Sequence, residues 1–475
     1  MYDNNYSQSQ KNKSKRKKGK SKKGNLILLG LGFSALAMVS ASVGALLAIY
    51  LSSKPLQKEP LSAEEEKVFR QQKTVSKDVL QIPKLSRPVN ILVLGTKVLT
   101  SDIKDNSIPK PDLGYHALVN SFEGHTDTML LLRFDPYEQK LTLLSIPRDT
   151  KVYVEGYGIR KINMANYAGG PSLSAKTISQ LLGGVRVDRY VRVNIQGIEK
   201  LIDALGGVTL YVPKDMKYVD FSQHLHINLK QGMQHLDGAK AVQFLRFRHD
   251  RLGDIGRVQR QQILMRAAIE QVLKPSTLVR IPKIFSIIKD NIDTNLSGEE
   301  LLALAGLAAK TNRANLQMLM LPGQYNGDGK HQVSYWLPNY NAIHSLMKDY
   351  FAVAQTENTT IDPAYRRIDR STVRIAIQDS TGDRQAVRSL IRSLQIAGYQ
   401  RIFVADSWSE PLEVTQILAQ SGDEQSAVMI HMDLGLGEVL VQSSGVLSSN
   451  VTIQLGRDWQ KVQESLNSGV LSNLH

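Results

Sequence analysis

The chain has 475 residues and no cysteine, and its 59 basic and 44 acidic side chains give a formal net charge of +15. The length predicts two or three domains, and a hydrophobic content of 42% is sufficient for ordinary globular cores, which argues against a wholly disordered chain. The missing cysteine excludes disulfides, thiolate metal sites and a cysteine nucleophile.

The first two segments predict a membrane anchor. Residues 1–24 form a basic tail with nine Lys/Arg and a single acid, and they precede an uncharged run over residues 25–51. At about 1.5 Å per residue this run spans the roughly 30 Å hydrocarbon core of a bilayer, and its length favours a retained helix over a cleaved signal peptide. The positive-inside rule then predicts a single-pass cell-membrane protein with a cytoplasmic tail and residues 52–475 outside the cytoplasm. The alternative for the tail is nucleic-acid binding, but its position against the uncharged run favours an orientation signal and no nucleic-acid partner.

A polar segment at 52–86 predicts a juxtamembrane stalk with a short helix. After it, apolar runs that alternate with helical patterns predict an α/β layered domain over 87–352. The predicted strands are 88–95, 127–136, 141–149, 188–195, 208–213 and 315–323. The predicted helices are 172–183, 196–207, 236–245, 255–274, 276–290 and 297–311. Long loops are expected at 96–124 and 214–235, and a turn at 137–140 predicts a hairpin.

A polar linker at 353–372 separates this domain from a second, smaller α/β unit at 373–462. Its predicted strands are 373–382, 401–406, 437–442 and 451–456, and its predicted helices are 384–397 and 412–419. No catalytic cluster is visible in this unit.

Candidate chemistry lies at strand ends and helix starts of the larger domain. Arg148 and Asp149 close one apolar run and Asp127 opens the one before it, and functional groups in α/β folds gather at such strand ends. Arginine–aspartate pairs also simply cap strands. Arg246 and Arg248 share one face if their segment is extended, whereas they point about 200° apart if it is helical. The following His-Asp-Arg-Leu-Gly-Asp favours a helix that has already ended.

The helix predicted at 255–274 carries further candidate residues at its start. Asp254 lies where a helix cap belongs, and Arg257, Arg260 and Gln261 follow at spacings that share a face. Arginine forks bind phosphate oxygens bidentately, and a pyrophosphate needs several such donors together with a divalent cation held by carboxylate. The sequence has no P-loop, nucleophile elbow, GxGxxG or HExxH motif. The set that suits a pyrophosphate is Asp127, Arg148, Arg246, Arg248 and Arg257.

These segments resemble the LytR-CpsA-Psr family in order and spacing. The matching stretches include NILVLG at 90–95, TDTMLLLRFDP at 126–136, LLSIPRD at 143–149 and LDGAKAVQFLRFRHDRLGDIGRVQRQQ at 236–262. Residues 373–460 are similar to the small C-terminal domain that accompanies some members. The resemblance implies a three-layer α-β-α fold with a central mixed sheet and an apolar cleft for a polyprenyl chain.

The resemblance also implies an enzyme, a phosphotransferase that moves a glycan-1-phosphate from a polyprenyl-pyrophosphate carrier to cell-wall peptidoglycan, with Mg²⁺ as the expected cofactor. Asp127 matches a metal-binding or catalytic aspartate, and Asp127 or Asp149 is expected to assist deprotonation. A non-catalytic scaffold for polyprenyl pyrophosphates and a polyprenyl-pyrophosphate hydrolase are the alternatives. The positions that match pyrophosphate-binding residues of the family are Arg148, Arg246, Arg248, Asp254, Arg257 and Gln261.

Two positions depart from the family pattern. Lys97 stands where the family usually has an aspartate, and His125 stands where it favours an arginine. Lys97 removes one expected metal carboxylate. It either supplies a positive charge to the phosphate, or Asp102 or Asp112 substitutes for the missing ligand.

Overall fold

The computed structural model describes residues 55–459 except 71, 78–82, 98–121, 123, 222–224, 248–252, 273, 309, 312–314, 327–333 and 354–368. Within this part of the chain, no helix has the length and apolar character needed to cross a bilayer. The basic tail and the anchor predicted at 25–51 lie outside the described residues.

The larger domain contains eight of the described α-helices and sixteen of the described strands. The helices are α1 Ala63–Glu66, α2 Met164–Leu181, α3 Ile195–Leu205, α4 Gly238–Arg246, α5 Gly253–Val272, α6 Ile281–Asn291, α7 Gly298–Ala308 and α8 Tyr340–Phe351. The strands are β1 Val75–Lys77, β2 Pro83–Leu85, β3 Val89–Lys97, β4 His125–Asp135, β5 Lys140–Ser145, β6 Lys151–Val154, β7 Gly158–Lys161, β8 Arg189–Asn194, β9 Val208–Val212, β10 Met216–Asp220, β11 Leu225–Leu229, β12 Gly232–Leu236, β13 Ile292–Thr294, β14 Leu316–Met320, β15 Gly323–Tyr325 and β16 Trp336–Pro338.

Six of these strands form the central sheet, in the order β13-β8-β3-β4-β5-β14. The β3–β8 and β5–β14 pairs are parallel, and the β13–β8, β3–β4 and β4–β5 pairs are antiparallel. The sheet is therefore mixed, as the sequence predicted, and the hairpin predicted at 137–140 joins β4 to β5. The C-terminal ends of β3 and β5 lie at the same end of the sheet as the N-terminal end of β4.

Helices cover both faces of this sheet, because neighbouring side chains of a strand point to opposite faces. Leu144 shares the core with Ile178 of α2 on one face. Leu141 and Leu143 pack against Met265 and Ile269 of α5 on the other. The described residues thus form the predicted α-β-α layers.

One predicted loop is wrong. Residues 214–235 were expected to lack regular structure, but β10 pairs with β11 and β12 pairs with β9. The five residues of β11 alternate between buried and exposed, which is the signature of a half-buried strand.

Part of the segment predicted as a stalk packs onto the domain. Phe69 is 2% exposed, and its ring lies 5.2 Å from the ring of Tyr190. The helix predicted there is a single turn, α1, which begins at a capping box formed by Ser62 and Glu65.

The smaller domain has strands β17 Arg374–Asp379, β18 Arg401–Val404, β19 Gln416–Ala419, β20 Glu438–Val441 and β21 Val451–Leu455, with helices α9 Arg384–Ile396 and α10 Glu424–Leu434. Its sheet has the order β18-β17-β21-β19-β20. The helix predicted at 412–419 is wrong, because the end of that segment is strand β19 and the helix follows at α10. Ile417 and Leu418 are fully buried inside the sheet, so their apolar run reflects a central strand rather than a helix face.

The two domains meet at the edge strands β14 and β20. Met318 and Gln442 form a parallel bridge, and the Ser443 amide donates to the Met318 carbonyl at 2.9 Å. The Gln259 side chain of α5 donates to the carbonyls of Ser444 and Gly445, each at 3.1 Å. The smaller domain therefore contacts the helix that carries several predicted site residues.

Candidate functional site

Asp127 lies in a bulge of β4. Gly95 pairs with Thr128 while the next β3 residue, Thr96, pairs with Thr126, so Asp127 is the extra residue between two pairs. A bulge turns a side chain away from its regular direction, and bulges are common beside active sites. Gly95 allows this approach, because a Cβ added there would come within 2.9 Å of the Thr128 Cβ.

Arg148 reaches this bulge from the turn after β5. Its Nη1 donates to Asp127 Oδ1 at 2.8 Å, and its Nε lies 3.5 Å from Asp149 Oδ2. Lys161 at the end of β7 lies 2.7 Å from the other Asp149 oxygen, Oδ1. Both oxygens of Asp149 thus contact cations, and Asp149 holds Arg148 in place beside Asp127. Lys161 was not predicted, because nothing in its local sequence distinguishes it from an exposed hairpin lysine.

Helix α5 closes the site from the side. Arg257 is 5% exposed, and its Nη2 donates to the Asp127 carbonyl at 3.1 Å while its Nη1 lies 3.8 Å from Asp127 Oδ1. Gln261, one turn further along, donates to Thr128 Oγ1 at 2.7 Å. Arg260 instead donates to the Phe247 carbonyl. Of the residues predicted to share one helix face, Arg257 and Gln261 therefore contact the bulge, and Arg260 contacts the end of α4.

The structure describes only some of the remaining predicted site residues. Arg246 is the last residue of α4, and the helix ends there because Phe247 is extended, with φ −62° and ψ 130°. Arg248 lies outside the described residues. The cap predicted at Asp254 is corrected, because α5 begins at Gly253 and places Asp254 in the first turn; its side chain lies outside the described residues. An acid in a first turn still interacts favourably with the helix dipole.

The two residues that depart from the family pattern are paired on adjacent strands. Lys97 ends β3 and pairs with His125 of β4. The His125 ring stacks on Tyr167 of α2, with ring centres 5.0 Å apart and planes 12° apart. The side chain of Lys97 and both substitute ligands, Asp102 and Asp112, lie outside the described residues.

An apolar cavity of about 200 Å³ begins directly behind the bulge, between the sheet and helices α3, α4 and α5. Its polar lining residues are Thr128, Ser145, Gln261 and Gln262, and Gly95 also lines it. Its walls are Val93, Leu130, Leu143, Val191, Val193, Ile198, Leu201, Ile202, Leu245, Leu264, Met265, Ala268, Ile292 and Met318. The site therefore combines two arginines and a carboxylate with an adjoining apolar cavity, an arrangement suited to an amphipathic ligand with an anionic head and an apolar tail.

No group of three or more His, Asp or Glu side chains in the described residues forms a ready-made metal site. Asp127 is the carboxylate beside the two arginines, which is compatible with a hard cation that takes most of its other ligands from phosphate and water.

The chain belongs to the LytR_cpsA_psr family, whose sequence pattern matches residues 53–351. A second family, described as LytR cell envelope-related transcriptional attenuator, matches residues 372–459. The resemblance seen in the motifs is thus confirmed for both domains, and the first match includes the segment that the sequence suggested to be a stalk.

Several named proteins are similar to this chain. "Regulatory protein MsrR" of Staphylococcus aureus (strain COL) is 36% identical over 37% of this chain, and the match spans about half, 52%, of that relative's length. "Polyisoprenyl-teichoic acid--peptidoglycan teichoic acid transferase TagU" of Oceanobacillus iheyensis is 32% identical over 55% of this chain and 73% of its own. Among solved structures, Bacillus subtilis TagV is 25% identical with a TM-score of 0.46, over 57% of this chain and 99% of that one.

Proposed function

We propose that this protein is a membrane-anchored phosphotransferase that moves a glycan-1-phosphate from a polyprenyl-pyrophosphate carrier to cell-wall peptidoglycan. The observation that carries the proposal is the position of Arg148 and Arg257 around Asp127, next to Thr128, which lines an apolar cavity. Two relatives bear the name of polyisoprenyl-teichoic acid--peptidoglycan teichoic acid transferase, which supports the same reaction class.

In the proposed complex the pyrophosphate lies over the bulge and the polyprenyl chain enters the cavity. Fixed guanidinium groups stabilise the charge that develops on phosphate oxygens, and they do so more strongly where water is excluded. The cavity volume of about 200 Å³ is small beside the roughly 300–1,000 Å³ of common ligand pockets. A long prenyl chain therefore needs α3 and α5 to separate, or its far end remains outside the cavity.

The proposed step forms a bond between an acceptor hydroxyl oxygen and the phosphorus attached to the glycan, and it breaks the bond from that phosphorus to the bridging oxygen. Polyprenyl phosphate leaves, and the hydroxyl proton passes to a carboxylate. Asp127 is assigned this role because it lies between Arg148 and Arg257, the two cations assigned to the pyrophosphate. Mg²⁺, if bound, is assigned to Asp127 and supplies charge neutralisation of the pyrophosphate.

A non-catalytic scaffold is the second candidate. It is favoured by the replacements at Lys97 and His125, of which the latter stacks on Tyr167. Such a protein retains the lipid pyrophosphate without turnover.

The test uses the full-length chain in detergent with a polyprenyl-pyrophosphate oligosaccharide, Mg²⁺ and a peptidoglycan fragment. Release of polyprenyl phosphate and covalent labelling of the fragment are followed for the wild type, Arg148→Ala and the control Arg388→Ala, which replaces an exposed arginine of α9. Labelling that Arg148→Ala abolishes and Arg388→Ala retains supports the transferase. Release without labelling identifies a hydrolase, and tight binding without release identifies the scaffold.

A further inference from the structure

A second cluster of arginines lies at the opposite end of the central sheet from Asp127. The cavity that it surrounds has a volume of about 430 Å³. We call it the basic pocket, and four arginines line it: Arg70, Arg87, Arg133 and Arg186. No acidic side chain lines it among the described residues.

The two sites are well separated. Arg133 pairs with Asn90 near the start of β3, whereas His125 pairs with Lys97 at the end of that strand. Seven residues of extended chain between Asn90 and Lys97 span roughly 20 Å at about 3.3 Å per residue. A ligand in the basic pocket is therefore distinct from one over Asp127.

Two of the arginines are held by carboxylates behind the pocket wall. Arg87 lies 2.8 Å from Asp188, whose side chain is 2% exposed, and Asp188 also accepts the Asn90 amide at 2.7 Å. Arg133 lies 3.4 Å from Asp135. These contacts fix the guanidinium groups and leave two further positive charges without such partners.

Those charges belong to Arg70 and Arg186, for which no ion pair occurs among the described residues. Two guanidinium groups without a carboxylate partner leave positive charge at the pocket, which favours an anionic ligand rich in acceptor oxygens.

We propose that the basic pocket is a second phosphate-binding site, which takes a phosphate group joined to a sugar or polyol. Guanidinium groups that line one cavity match the oxygens of a phosphate better than the two oxygens of one carboxylate. The cavity is larger than an inorganic phosphate needs, and Pro88, Val185 and Val353 add apolar wall against which a sugar ring can lie. The phosphate belongs either to a free phosphosugar or to the phosphodiester chain of an anionic glycan.

The experiment measures phosphate binding to the full-length chain by titration calorimetry in an Arg148→Ala background, which removes a main cation of the other site. Arg70→Gln with Arg186→Gln is compared with a charge-matched control, Arg388→Gln with Arg392→Gln, at two exposed arginines of α9. Circular dichroism verifies that both double variants fold. The readout is binding alone, so it is independent of whether the chain catalyses transfer.

We expect glycerol 3-phosphate to bind the background chain and to bind at least tenfold more weakly after the Arg70 and Arg186 replacements, since each removes charge-assisted hydrogen bonds. The control pair is expected to bind as the background does. Tighter binding of poly(glycerol phosphate) assigns the site to a glycan chain, and equal binding assigns it to free phosphosugars. Equal affinity in the two double variants, or a preference for acetate over glycerol 3-phosphate, overturns the proposal.

Discussion

Replacing Arg257 by lysine separates the charge of this side chain from its shape. The guanidinium reaches both the Asp127 carbonyl at 3.1 Å and its carboxylate at 3.8 Å, through two different nitrogens. Lysine keeps the charge but offers one compact ammonium group, which cannot bridge the two acceptors. The side chain is 6% exposed, so water does not readily replace the lost hydrogen bond.

Losing one hydrogen bond to a charged group costs about 1.5–3 kcal/mol. If that stabilisation acts in the transition state, the rate falls roughly 10- to 150-fold. The assay is single-turnover release of polyprenyl phosphate by Arg257→Lys, with Arg388→Lys as the control for an arginine distant from the bulge. A rate within twofold of the wild type, with normal folding, would refute the bridging role of Arg257.

Three further predictions concern the framework of the larger domain. Arg192→Met leaves Asp293, which is 0% exposed, without its cation at 2.6 Å, and it is expected to lower the free energy of unfolding in urea by about 3–5 kcal/mol. Burial raises the pKa of Glu300, but hydrogen bonds and charge from Arg189 outweigh this and hold the pKa below 4.5; the stability that Glu300 contributes is therefore present above pH 4.5 and is expected to fall in acid titrations below it. Gly95→Ala is expected to cost about 1–3 kcal/mol in urea unfolding and to reduce lipid release, because the new Cβ pushes β4 away beside the bulge.

Each of these three predictions has a control variant or a result that would contradict it. For Arg192, the control is Glu59→Gln at its other carboxylate partner, which is 50% exposed and is expected to cost less than about 1 kcal/mol; equal costs contradict the argument from burial. For Glu300, an acid titration of Glu300→Gln that parallels the wild type shows that another group is responsible. For Gly95, Gly306→Ala gives the effect of a glycine with open space around it, and equal losses of lipid release in the two variants contradict the crowding argument.

Much of the fold could be predicted because its core strands carry continuous apolar runs. Buried β3, β4 and β5 were found within a few residues, and so were most of the helices. The hairpin β10–β11 was missed because its strands are short and interrupted by polar residues, so that no five-residue stretch stood out from a loop. The strand β19 was predicted to be a helix because a buried strand and a buried helix can both appear in the sequence as a short apolar run.

The proximity of four candidate residues was predictable, but the geometry that brings them together was not. Asp127, Arg148, Arg257 and Gln261 come together in the structure, as their positions at strand ends and on one helix predicted. The bulge that presents Asp127 has no signature in the sequence, because it depends on the register between two strands 30 residues apart. The contact of Asp149 with Lys161 was equally hidden, since it joins the turn after β5 to the end of β7.

In the described part of the chain, other segments contact both edge strands of the central sheet. Leu56 donates to the Leu296 carbonyl beyond β13 and so covers one edge, and strand β20 of the smaller domain covers the other at Met318. An uncovered strand as apolar as β14, with all five residues buried, is a template for pairing with a second chain and for aggregation. We therefore expect the smaller domain to shield β14, and we expect a shortened chain that ends near Phe351 to self-associate through this strand.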